Sequence, residues 1–172
     1  MKVLFLNLAI FILFLIATLP LTDPSVERKV MLDSAILYST DEDYEALESY
    51  GPEGRAFMLW TYCAWDVIVP LLYTSFICLT ISWLFSRGLE SESKVRLLNL
   101  APIIGGMLDY LENLSTVTLI LNYPSRLDIV ASLGSLSTLG KYTSGLVLLS
   151  LILMGVVKAA QNKFRVKELR DH

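Results

Sequence analysis

Apolar positions are gathered along this chain into four runs, Val3 to Pro20, Ala56 to Phe85, Leu98 to Leu121 and Ile129 to Val157. Each is near or above the roughly 20 residues with which a helix crosses a hydrocarbon core of about 30 Å. The pattern predicts an all-α protein, a four-transmembrane-helix bundle folded as a single membrane domain, with helices at about 3–20, 56–85, 98–121 and 129–157. Residues 21–55 then form a long first outer loop, 86–97 a loop on the other side and 158–172 a tail. The first run follows Lys2, exceeds the roughly 7 to 15 apolar residues of a secretory leader and ends in no clear small-x-small cleavage pattern, so a retained helix is expected.

Polar residues interrupt these runs in a regular way. The third run contains DYLEN, residues 109–113, and charges near a bilayer centre are expensive enough to be paired, turned inward and used. At about 100° per residue, Arg55, Tyr62, Asp66, Tyr73 and Thr80 fall within about 40° of one another on the second helix. On the third, Pro102, Gly105, Asp109, Asn113 and Thr116 share a face, with Glu112 at its edge. On the fourth, Ala131, Gly134, Thr138, Lys141 and Gly145 do so, with Ser135 and Tyr142 beside them. Depth agrees with face: counted from the outer surface, Asp66, Glu112 and Asn113 lie about 15 Å down and Asp109 and Lys141 about 20 Å down.

The candidate chemistry is therefore a buried, proton-sharing cluster near the membrane midplane. Asp66, Asp109, Glu112 and Lys141 are the candidate catalytic groups, and Arg55, Tyr62, Tyr73, Asn113, Thr116 and Thr138 the candidate substrate-binding ones. Carboxyl groups in unlike surroundings can divide the roles of acid and base between them. The competing reading is a self-satisfied network in which Lys141 pairs with Asp109 or Asp66 and sets helix register, although Ser or Thr would join helices at lower cost. Gly105, Gly106, Gly134 and Gly145 read as close-packing positions. Trp60 and Trp83 suit the two interfacial belts, and Trp65 adjoins Asp66.

Charge adds orientation. Nine basic side chains, Lys2, those of the 86–97 loop and those of the tail, lie on one side against four on the other, which predicts cytoplasmic termini. The outer loop carries nine acidic side chains against three basic ones. Within it STDEDYEALESYGPEG reads as a short helix, with Ser39 or Thr40 as N-cap and Gly51 then Pro52 as the stop. It is either a solvated face that keeps the loop outside or a lid across the bundle's mouth, laid down by Tyr44, Leu47 and Tyr50 or Ala46.

Composition removes other classes. Hydrophobic residues make up 54% of the chain, and the mean hydropathy is +0.56, as an integral, multi-pass protein of a plasma or inner membrane requires. Cys63 and Cys78 lie about 22 Å apart along one helix, too far to bridge, and read as small buried residues. The single histidine is His172, so no imidazole metal centre, haem ligand or Ser-His-Asp triad is expected in the bundle. No cofactor is implied, and no nucleotide or nucleic-acid motif is present.

The combination of GPEGRAF, WDVIVPLLY with Asp66, Pro70 and Tyr73, LDYLEN, and the NYP that closes the third run resembles a set of small four-helix integral membrane proteins. The likeness covers about residues 35–157 and implies a similar bundle, with no activity attached.

Three functions remain. A membrane enzyme or binder would act by acid-base chemistry on a small lipid-like molecule, in a pocket open toward the outer face. A translocating form would assemble as a homo-oligomer and relay protons or cations at the midplane. A structural subunit would use the polar network only to hold helices. The expected partners are membrane lipids, the lipid-like ligand and further copies of the chain, with no nucleic acid. Polar groups on the three stripes thin out toward the cytoplasmic half, which favours the pocket over a pore.

Overall fold

A computed structural model describes residues 2–18 and 37–171. Among them every regular element is helical: α1 (Lys2–Thr18), α2 (Thr40–Gly88), a 3-10 segment η1 (Lys94–Leu100), α3 (Pro102–Asn122) and α4 (Asp128–Asp171). The first part of the expected outer loop, residues 21–36, lies outside the described residues.

The α2 helix starts at a capping box. Ser39 Oγ accepts the Glu42 backbone N–H at 3.3 Å, and Glu42 Oε2 accepts the Ser39 N–H at 2.6 Å, with Asp41, Glu42 and Asp43 complementing the dipole in the first turn. The short acidic helix is not a separate element. It ends at Gly51, whose φ of 67° only glycine adopts cheaply, and the helix resumes directly at Pro52, which has no N–H to leave unbonded. Arg55 Nη1 donates to the Leu47 carbonyl across this break at 2.8 Å. The expected separation into loop helix and span is thus a kink within one helix.

A second irregularity lies deeper. Buried Pro70 has no N–H for the carbonyl of Asp66, four residues earlier. Asn113 Nδ2 of α3 donates to that carbonyl at 3.1 Å, and Tyr110 OH donates to the neighbouring Val67 carbonyl at 2.6 Å. The proline and the amide are complementary parts of one α2–α3 contact.

Successive helices run antiparallel. Asn7 donates to Ser75 and Phe14 packs on Trp65, Asn99 meets Ser82, and Gly105 approaches Ser144 closely enough that a Cβ would lie 2.8 Å from its Oγ. One apolar core, built on Leu47, Tyr50, Met58, Tyr62 and Leu119, joins the acidic cap helix to the ends of α2, α3 and α4. A second, around Ile81, Phe85 and Leu148, closes the opposite end. The polar cluster lies between the two.

Several expectations are corrected. The tail beyond Val157 is helical, because its Ala, Gln, Lys and Arg are good helix formers and no Gly or Pro follows Gly155. The third helix begins at Pro102 rather than Leu98, with η1 before it. Gly145 meets nothing that a Cβ would touch, so it is not a packing site. Cys63 is exposed and Cys78 half-buried, so neither is a core residue. Among the described residues two helices, in Thr40–Gly88 and Asp128–Val166, are long and apolar enough to cross a membrane. The α3 helix has the length, at 21 residues, but DYLEN dilutes its hydropathy.

Candidate functional site

Two pairs of side chains, each spaced three residues apart and so on one helix face, oppose each other across the α3–α4 contact. Asp109 and Glu112 come from α3; Thr138 and Lys141 come from α4. Lys141 Nζ lies 3.1 Å from Asp109 Oδ1 and 2.5 Å from Glu112 Oε2. Tyr73 reaches in from α2 and donates its hydroxyl to Asp109 Oδ2 at 2.7 Å. Thr138 Oγ1 donates to Glu112 Oε1 at 2.7 Å. All four carboxylate oxygens are therefore engaged, and one ammonium stands against two acids.

Exposure is graded across the group. The Glu112 side chain is 2% exposed, Asp109 14% and Lys141 25%, so Glu112 is the blind end and Lys141 the approachable one. Removing one partner from a buried ion pair leaves an uncompensated charge, which is far more costly than the pair itself is stabilising.

Tyr38 is the participant that the sequence did not announce. Its hydroxyl lies 3.2 Å from Thr138 Oγ1. Thr138 has one proton, and the short contact to the carboxylate claims it, so Tyr38 donates to Thr138. Ser135 fixes the tyrosine's backbone on both sides: its Oγ accepts from the Tyr38 N–H at 3.1 Å and donates to the Tyr38 carbonyl at 2.8 Å. A directed chain of hydrogen bonds thus runs from Tyr38 through Thr138 to Glu112. Tyr38 stands alone before the N-cap and belongs to no periodic pattern, so only the fold reveals it.

The remaining candidates are placed elsewhere or differently. Asp66 is half-buried and joins α3 through its backbone carbonyl, and Asn113 is the donor to that carbonyl. Thr116 is buried and back-bonds to the Glu112 carbonyl at 3.2 Å. Tyr62 is buried in the core under the cap. Arg55 spans the Gly51 kink and lies over the Tyr123 ring, 4.0 Å from its centroid. The structure thus gathers Asp109, Glu112, Lys141, Tyr73 and Thr138 and distributes Arg55, Tyr62 and Thr116 along the axis toward the cap.

The cap itself is docked on the α3–α4 turn. Tyr44 OH donates to the Ser125 carbonyl at 3.0 Å and accepts the Leu127 N–H at 2.7 Å, and Arg126 pairs with Asp41 at 2.6 Å. Beneath it Asp43 is 2% exposed. Loss of water, and then the neighbouring Glu42 charge, push the Asp43 carboxyl up to about 7. Trp60 is exposed and stacks edge-on against Trp65 at 5.6 Å.

No set of three His, Cys, Asp or Glu side chains among the described residues is arranged to hold a metal ion. Comparison with family models, curated proteins and solved structures finds no match. Function must be argued from the geometry.

Proposed function

We propose that the chain is a four-helix integral membrane protein whose Asp109–Glu112–Lys141 cluster binds a small lipid-like molecule and acts on it, or holds it, by proton exchange. The observation that carries this is the stoichiometry of the cluster: one lysine bridges two carboxylates, one buried and one half-buried. A pair needed only for helix register is served by one acid and one base, whereas the second acid supplies a group that can give up or take a proton.

Membrane spanning is supported by the surface. Only 17% and 11% of the most apolar stretches of α2 and α4 are buried inside the chain, the reverse of a soluble core helix, and Leu111, Leu114, Leu146 and Leu149 face outward. In this reading α1 and α3 complete the bundle, and the basic ends of α2 and α4 support cytoplasmic termini. The approach through Lys141 and Asp109 suits a ligand whose polar head meets the ion cluster while its apolar part stays among the helices. Asp109 and Glu112 exchange the proton, Lys141 holds the complementary charge, and Tyr73 and Thr138 orient the two carboxylates.

The testing experiment is native mass spectrometry with lipid extraction on gently solubilised protein, comparing wild type with Asp109→Asn and Glu112→Gln. A small molecule retained by wild type and lost from both variants is the expected result. Equal, empty and equally stable proteins would refute a ligand site. The chain from Tyr38 to Glu112 favours one second reading, proton transfer as an oligomer, which proton-flux measurements on proteoliposomes address.

A further inference from the structure

A groove of about 690 Å³ lies at the end of the helices away from the cap, between the last turns of α2 and the extension of α4. It exists because these two elements touch backbone to backbone: a Cβ on Gly88 would stand 2.6 Å from the Ala159 nitrogen. Asn162 Nδ2 locks the contact by donating to the Arg87 carbonyl at 2.8 Å. The walls divide into two chemistries. Leu84 and Val156 give an apolar side, whereas Arg87, Asn162 and Lys163 give a polar side, and no carboxylate lines the groove. Trp83 stands between them, with the Arg87 guanidinium 4.4 Å above its ring. Its buried indole N–H finds no acceptor among the described residues.

An apolar wall leading to two cations and an amide is the imprint of an amphiphile with an anionic head. Indole and arginine are also the side chains that settle at the headgroup level of a bilayer. We infer that this groove holds the headgroup and upper acyl carbons of one anionic phospholipid, with Arg87 and Lys163 on the phosphate and Leu84 and Val156 along the chain. The inference rests on the reading that α2 and α4 span a membrane. It differs from a general attraction of basic tails to anionic lipid because it assigns the lipid to one site built by the Gly88–Ala159 contact.

The test begins with alkaline carbonate extraction of membranes containing the full chain. Release of the protein would overturn both the spanning reading and this site. On retained and purified protein, phosphatidylglycerol and phosphatidylcholine are titrated and bound lipid is counted by native mass spectrometry. Wild type is expected to keep one phosphatidylglycerol per chain in preference to phosphatidylcholine. The double variant Arg87→Gln, Lys163→Gln is expected to lose affinity roughly thirty-fold, about fivefold for each basic side chain at an anionic surface. The control Lys94→Gln, Arg165→Gln removes the same charge outside the groove and keeps the preference. Thermal stability gives an independent reading, since phosphatidylglycerol should raise the melting temperature of wild type and control but not of the groove variant. No preference in wild type, or equal loss in both double variants, would overturn the site while leaving the spanning reading intact.

Discussion

Asn113 donates its side-chain amide to the carbonyl of Asp66, 3.1 Å away, the acceptor that Pro70 leaves without a helical donor. A residue that looks like a polar group in a reactive motif is therefore a repair for a proline in the next helix. Replacing it with leucine should destabilise the protein by about 1–3 kcal/mol, the cost of a buried acceptor left unbonded. In a Pro70→Ala background, where residue 70 regains its N–H, the same substitution should cost much less. Reversible unfolding of the four proteins in detergent measures this, and equal costs in both backgrounds would break the link between Pro70 and Asn113.

Lys141 holds two acids, so its loss strands both. Lys141→Met should destabilise by about 3–5 kcal/mol, as removal of one partner from a buried ion pair does. Adding Glu112→Gln should recover a large part of this, because the blind end then carries no charge. Melting temperatures of the single and double variants decide it, and a double variant no better than Lys141→Met would contradict the pairing.

Tyr38 and Thr138 act on Glu112 in series. Tyr38→Phe and Thr138→Val should each cost about 1 kcal/mol, and the double variant distinctly less than the sum, because either one breaks the same chain. Additive costs in a double-mutant cycle would separate the two residues.

Asp43 gives the cap a pH dependence whose sign follows from its environment. Its carboxyl titrates near 7 when docked and near the ordinary value of 3.8 when the cap is free, so the docked cap binds the proton more tightly. Docking is then strongest below the free value, weakens as pH rises between the two, and stays at its weakest above about 7. Limited proteolysis or hydrogen exchange of residues 40–50 should show faster opening at about pH 8 than at about pH 5.5. Asp43→Asn should remove that difference.

Periodicity was enough to read that the chain is helical and that Asp109, Glu112, Thr138 and Lys141, which repeat at helical spacing, share two faces, and in the fold those four side chains meet. Local capping was legible in part: the start lay at Ser39 or Thr40 and the break at Gly51. The capping box with Glu42 and the continuation of the helix through Pro52 emerge only in the fold. What periodicity could not carry was connection beyond one helix. Pro70 and Asn113 are explained only jointly, Tyr38 precedes its helix, and the α4 extension has helix-forming residues without an apolar stripe to mark it. Gly145 shows the opposite failure: it keeps the period of the stripe, yet a Cβ there would meet nothing within 4 Å.

Thr138 offers its single proton to two acceptors, Glu112 Oε1 at 2.7 Å and the Gly134 carbonyl at 3.2 Å. If Glu112 gains a proton or a donor of its own, the hydroxyl can swing to its own helix by turning about one carbon–oxygen bond. Tyr38 then faces a rotor in its other position, with no backbone atom displaced. The state of the most deeply buried carboxyl group is in this way reported to a segment anchored at the bundle's rim, through the smallest moving part that a protein has.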